Sequence, residues 1–202
     1  MINEVVTSKK VVALTFDDGP NSTFTPQVLE ILADADAKAT FFMIGEHINK
    51  CPEIVKIANE QGHEIGNHTF THAKMSGLTP EQILVEIEAT EAIVSRLIGR
   101  NPIVFRPPYL DYNDRVVTIL NEKGYVMVGA QNLEAQDWEQ PGVEHIVKAS
   151  IDRVKPGSIL IFHDGFGDRS QTIEAVRLLV VELRSEGYQM VTVSELLKLA
   201  ES

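Results

Sequence analysis

Short runs of apolar and β-branched residues alternate along this chain with longer stretches whose apolar positions recur at helical spacing. Glycine, proline or asparagine marks most of the junctions. The short runs predict strands at Val11–Phe16, Ala39–Ile44, Glu64–Asn67, Ile103–Phe105, Tyr125–Ala130, Ser158–Phe162 and Gln189–Val193. The longer stretches predict helices over Pro26–Ala37, Pro52–Gln61, Pro80–Ile98, Asp114–Lys123, Val143–Val154, Gln171–Glu186 and Glu195–Ala200. Thr25-Pro26 and Thr79-Pro80 each put a hydroxyl at the N-cap and proline at the first helical position, and Gln82 completes a capping box with Thr79. The strands are brief and apolar on both faces, as parallel strands are when helices cover one side and a barrel interior the other. Repeated βα units predict an α/β fold, either a doubly wound sheet or a barrel, and about seven units favour a distorted (β/α) barrel of parallel strands. No repeat or linker interrupts the series, and 202 residues suit one core, so residues 1–202 are expected to form a single domain.

Charge narrows the partners. Acidic residues outnumber basic ones 29 to 18, a net charge of −11, which repels phosphate backbones and anionic lipid surfaces and argues against nucleic acid. A neutral partner is indifferent to that field. The single cysteine, Cys51, excludes a disulfide within the chain and is expected to be a free thiol. Met1–Lys10 carries no apolar run of the signal-peptide kind, and no segment approaches the roughly 18 uninterrupted apolar residues of a membrane span.

In either candidate fold a site forms at the C-terminal ends of the strands. Those ends carry Asp17-Asp18, the segment His68-Thr69-Phe70-Thr71-His72, Arg106-Pro107-Pro108-Tyr109, Asp137-Trp138 and His163-Asp164. Two histidines four apart share a face if their segment turns helically, so both imidazoles reach one cation, and Asp18 supplies a carboxylate from a neighbouring strand end. Three protein ligands leave positions open for water and substrate, which is the arrangement of a catalytic rather than a structural zinc-like site. Pro107 and Pro108 lack backbone N–H groups, so the first donor after Arg106 is the stiffly held amide of Tyr109.

Taken in order, Thr15-Phe16-Asp17-Asp18-Gly19-Pro20, Gly62 to Thr69 with His72, Arg106 to Tyr109, Asp137-Trp138 and Ile161-Phe162-His163-Asp164 resemble the motifs of the polysaccharide deacetylases, the NodB homology domain or carbohydrate esterase family four. The resemblance covers about Val11 to Val193 and implies a distorted (β/α) barrel. It implies one divalent metal ion held by Asp18, His68 and His72. Zinc is the default for such ligands, and cobalt, nickel or manganese are also accepted. Asp17 would be the general base, kept ionised and oriented by Arg106. The backbone N–H of Tyr109 would stabilise an oxyanion, and His163, oriented by Asp137, would be the general acid. Trp138 and Ile161 would wall a pocket for the acetyl methyl group or serve the core, with Tyr109 and Pro107 beside the substrate.

The reaction implied is hydrolytic N-deacetylation of amino sugars in chitin, chitooligosaccharide or peptidoglycan, releasing acetate. O-acetyl esters of xylan, or another amide, are the alternative on the same machinery, and a catalytically silent glycan-binding module is the alternative outside catalysis. The resemblance also implies a monomer, secreted or at the cell surface; the absence of a signal-peptide pattern leaves the cytoplasm open. Asp17 and Asp18 would point to opposite faces of a regular strand, so a shared role requires irregular backbone there, which Gly19-Pro20 would supply. The sequence departs from the family pattern at Leu110, where many relatives have glycine, and His47, His63 and His145 have no assigned partner, His63 being expected to pack or to support the site indirectly.

Overall fold

The most apolar run becomes the centre of the sheet. In the computed structural model, which describes residues 1–201, Val11–Asp17 forms β1, buried along its whole length. It pairs with β2 (Ala39–Met43) on one side and β6 (Ile159–His163) on the other, Phe16 lying in register with Phe41 and Phe162. β3 (Glu64–Asn67), β4 (Val104–Phe105) and β5 (Val126–Met127) continue outward from β2, giving the order β5-β4-β3-β2-β1-β6, and β7 (Gln189–Met190) pairs with the first two residues of β1. All six pairings are parallel. The crossovers are α1 (Phe24–Asp34), α2 (Gly45–Lys50), α3 (Pro52–Glu60), α4 (Pro80–Ile98), α5 (Asp114–Glu122), α6 (Val143–Ile151) and α7 (Ser170–Ser185), with α8 (Val193–Leu197) closing the chain. None of the helices described is long and apolar enough to cross a membrane.

Alternation along β1 divides the core in two. Val12, Leu14 and Phe16 point outward beneath the helices, the Phe16 ring stacked on Phe41 and tilted against Phe162, whereas Val11 and Ala13 face the interior of the half-barrel with Phe42, Val104 and Ile159. Thr15 and Asp17 continue the interior row towards the C-terminal end. Burying a phenylalanine stabilises by roughly 1.5–3 kcal/mol, so Phe16→Ala, with its added cavity, would cost about 3–5 kcal/mol.

β5 and β6 do not pair. Their gap is spanned by bridges from the N-terminal segment (Ile2 to Val128, Glu4 to Ser158) and by Asn132, whose amide exchanges hydrogen bonds of 2.7 and 3.1 Å with the backbone of Ile161. This bridging shortens the strand expected over Tyr125–Ala130, because the carbonyls of Val128 and Gly129 are taken by the Arg106 guanidinium instead of a ladder. The strand expected over Gln189–Val193 ends early because Thr192 and Glu195 form a capping box that starts α8. The capping box expected at Thr79 and Gln82 is present, and α4 ends at Gly99 with φ +74°. Thr25 does not cap α1: Asn21 Oδ1 accepts the amides of Thr23 and Phe24, starting the helix earlier, and the Thr25 hydroxyl donates to Asp164 at 2.5 Å. α2, six residues long, was too short to show a period.

Candidate active site

Strand alternation puts Asp17 on the interior face at the last position of β1, and Arg106 meets it there from the end of β4. Arg106 is fully buried. It donates to Asp17 Oδ1 and Thr15 Oγ1, both at 2.7 Å, and to the carbonyls of Gly129 (2.7 Å) and Val128 (3.3 Å), with its guanidinium 4.3 Å from the centre of the Phe42 ring. A buried guanidinium is costly unless its donors are used, and here the fork locks one carboxylate in place. The arginine therefore ties β4 and β5 to β1 through the barrel interior.

Asp18 resolves the conflict with strand alternation. Asp17 stays in the ladder, opposite Phe42 and His163, while Asp18 adopts φ +74° and leaves it, which brings both carboxyl groups into one cleft. His68 and His72 arrive by a different route from the helical turn expected. Their segment is irregular, with φ +65° at Thr69 and +64° at His72, and it is pinned by Asn67 Oδ1 on the Thr69 amide and by Glu86 of α4 on the amides of Phe70 and Thr71. Both Nε2 atoms face Asp18 Oδ1, His68 at 3.4 Å and His72 at 3.2 Å.

The chemistry of this trio fits a cation. His68 Nδ1 lies 2.6 Å from the Arg106 carbonyl oxygen, which only accepts, so Nδ1 carries a proton, and in a neutral ring the Nε2 lone pair then faces Asp18. Asp18 Oδ1 is buried without a hydrogen-bond partner among the described residues. Lone pairs facing one another over this distance repel unless a positive charge lies between them. One ligand atom from each of Asp18, His68 and His72 falls within 4.8 Å of the others, a spacing that a divalent ion can bridge. Burial alone would raise the Asp18 carboxyl; positive charge and donation from the two imidazoles, when they are protonated, more than offset it and hold it below its ordinary value, the same office a cation would fill between neutral rings.

On the neighbouring strand, His163 ends β6. Its Nδ1 and backbone N–H lie 2.8 Å from the two oxygens of Asp137, and Thr172 Oγ1 donates to the same carboxylate at 2.9 Å. Burial would lower the imidazole, but the Asp137 charge, with Asp17 and Asp18 behind it, pushes it up to about 9. With Nδ1 committed to Asp137, Nε2 is the nitrogen left for the cleft. Asp164, next in sequence, is buried against Gly19 and Thr25, and burial raises it to about 7.

These groups open into a cleft of about 620 Å³ whose remaining walls are Tyr109, Leu110, Leu133, Trp138, Ile161 and Phe166. The Tyr109 amide has no acceptor among the described residues, and the tyrosine hydroxyl lies 3.2 Å from His72 Nδ1. Tyr109 and Leu110 both have left-handed backbone, φ +59° and +53°, the conformation for which glycine is the usual residue. Pro107 is buried and does not line the cleft. His63 sits at the opposite end of the strands, accepting the Ala39 amide and packing on Phe41, and His145 bonds the Glu134 carbonyl away from the cleft. Sequence reasoning missed Phe166, Leu133 and His47. The only signal for Phe166 was an aromatic residue between two glycines just after His163-Asp164.

A family model described as polysaccharide deacetylase matches residues 4–128. The chain belongs to that family. This polysaccharide deacetylase is a hydrolase, and its relatives carry the same reaction in their names. A peptidoglycan-N-acetylglucosamine deacetylase of Bacillus cereus is 42% identical over 196 residues, spanning 96% of this chain and 92% of the relative. A chitooligosaccharide deacetylase of Azorhizobium caulinodans is 32% identical, over 92% of this chain and 94% of that one. Among solved structures, a family 4 acetyl xylan esterase from Clostridium thermocellum in complex with a cobalt ion matches with a TM-score of 0.88 at 35% identity, covering 94% of this chain and 91% of the other.

Proposed function

We propose that this deacetylase hydrolyses the N-acetyl group of N-acetylglucosamine units in peptidoglycan or chitooligosaccharide, with zinc held by Asp18, His68 and His72. The supporting observation is the pairing of a fixed carboxylate and a fixed imidazole in one cleft, Asp17 on Arg106 and His163 on Asp137, beside an aspartate oxygen without a partner. Bound there, a divalent cation supplies Lewis-acid polarisation and a more acidic water. Asp17 takes a proton from the attacking water as the water oxygen adds to the acetamide carbon. The free Tyr109 amide donates to the oxygen that gains charge. His163 gives the proton on Nε2 to the departing nitrogen as the C–N bond breaks, leaving a free amine and acetate. Trp138 and Ile161 wall the space for the methyl group.

None of the cleft-lining residues is lysine or arginine, which favours a neutral sugar over one bearing a carboxylate substituent. The cobalt-bound acetyl xylan esterase supports a second reading, ester cleavage by the same groups. We take the whole chain as one catalytic unit acting as a monomer outside the cytoplasm, where polymers of this size are met. Acetate release from chitin oligomers, peptidoglycan and acetyl xylan separates the substrates. Asp17→Asn should abolish release while zinc remains bound at one equivalent; unimpaired turnover by that variant would overturn the assignment.

A further inference from the structure

Each imidazole of the trio has its far nitrogen occupied, His68 by the Arg106 carbonyl and His72 by the Tyr109 hydroxyl. Asp18 has no such tie on its side chain and sits in left-handed backbone, which an aspartate adopts at a cost. Its restraint is on the main chain. His47 Nδ1 lies 2.7 Å from the Asp18 carbonyl oxygen, and because that oxygen only accepts, Nδ1 is the donor. The Cα of Gly165 packs so closely on the other side of the carbonyl that a Cβ there would lie 2.0 Å from the oxygen.

His47 belongs to α2, and the first turn of α2 also holds the histidine loop. The amides of Gly45 and Glu46 donate to the carbonyls of Thr69 and Phe70 at 3.0 Å, inside the segment between His68 and His72. Gly45 permits this approach, since a Cβ would lie 2.4 Å from the Phe70 ring. One short helix thus grips both sides of the cation trio, the histidine loop through its backbone and the aspartate through a single side chain. Phe166 completes the bracket, its ring packed edge-on between His47 (4.8 Å) and His72 (5.5 Å).

We propose that His47 is a positioning residue for the metal site, fixing Asp18 through a hydrogen bond from Nδ1 to its carbonyl and thereby setting cation affinity. The inference rests on the reading of Asp18 as a metal ligand. Asparagine and glutamine separate this role from packing, because the amide nitrogen of Asn occupies the place of Nδ1 whereas that of Gln falls near Nε2. Zinc affinity of the full chain is measured by competition with a chromogenic chelator for the parent, Asp18→Ala, His47→Ala, His47→Asn and His47→Gln, together with thermal unfolding of each metal-free protein. Loss of a group that orients a ligand typically weakens binding about 10- to 100-fold, and that loss is expected for His47→Ala and His47→Gln, with His47→Asn close to the parent and the metal-free melting points alike. If His47→Ala fails to fold, the Asn and Gln variants alone decide. Parent-like affinity in His47→Ala or His47→Gln, or equal weakening in His47→Asn and His47→Gln, overturns the proposal while leaving Asp18 as a ligand. A parent that takes up no zinc, or an Asp18→Ala variant that binds as tightly as the parent, overturns the underlying reading instead.

Discussion

At the N-terminal end of the strands, the turns returning from α3, α4, α5, α6 and α7 fill their left-handed positions with glycine, at Gly62, Gly99, Gly124, Gly157 and Gly187. Asp36 is the exception among the described residues. At the C-terminal end, eight described residues that are not glycine adopt the same backbone, Asp18, Thr69, His72, Tyr109, Leu110, Gln136, Gln140 and Phe166. Each such residue costs on the order of 1 kcal/mol or more. One end of the barrel is relaxed and the other holds strain, and the strained end is where the carboxylates and imidazoles meet. The packed core beneath supports geometry that the local sequence disfavours.

Two buried histidines at these ends show the same contrast in charge. His63 is pushed down to about 4 by burial and by Lys38, and works as a neutral acceptor for the Ala39 amide. Burial also disfavours the charged form of His163, but Asp137 reverses it and carries the ring up to about 9. Burial acts in the same direction at both ends, and a placed carboxylate decides which protonation state survives.

The largest expected effect comes from removing the buried charge that supports the strained end. Arg106→Met leaves Asp17 uncompensated and should cost about 3–5 kcal/mol in urea unfolding, whereas the double variant Asp17→Asn, Arg106→Met should recover much of that loss. An additive double variant would show that the pair is not coupled.

Asp137→Asn should come next, lowering kcat on a chitin oligomer by roughly 10²-fold or more if His163 is the acid. A raised histidine donates its proton below its folded pKa and loses it above, so activity should fall as pH rises towards 9, and earlier once a cation opposes the positive ring. In the asparagine variant that alkaline limb moves to lower pH; an unmoved limb would remove His163 from the role.

At the relaxed end the sign is opposite. The unfolded chain binds more protons at His63 between its ordinary 6.5 and about 4, so this contribution is complete above pH 6.5 and is lost as pH falls through that window. His63→Asn, which keeps an acceptor near the Nδ1 position, should start less stable and lose this part of the acid sensitivity, a change of about 3 kcal/mol in thermal unfolding followed from pH 7 to 4.

The smallest pair probes the strain itself. Gly99→Ala, in open space at φ +74°, should cost about 1 kcal/mol, while Leu110→Gly should be neutral or stabilising by a similar amount. KM in Leu110→Gly should rise as an apolar wall is lost.

The strand–helix series and the convergence of polar residues on one rim could be read from the chain because period and position carry them: interior-facing Asp17 follows from alternation along β1, and Thr79 with Gln82 is a local signal. What was missed depends on tertiary contacts. The length of β5 is set by Arg106 taking its carbonyls, and Thr25 is drawn to Asp164 although its sequence reads as a cap. His68 and His72 do come together beside Asp18, but the helical turn invoked to join them is replaced by left-handed backbone at Thr69 and His72. His47 gave no sign, since its partner is a main-chain carbonyl far away in sequence.

Anomalous diffraction at the zinc edge, from crystals of the zinc-loaded protein, shows directly whether Asp18, His68 and His72 hold the ion. One strong peak is expected, roughly 2.0–2.2 Å from an oxygen of Asp18 and from Nε2 of His68 and His72. A zinc ion bound elsewhere, or a crystal of active enzyme with no peak between these three residues, would contradict it.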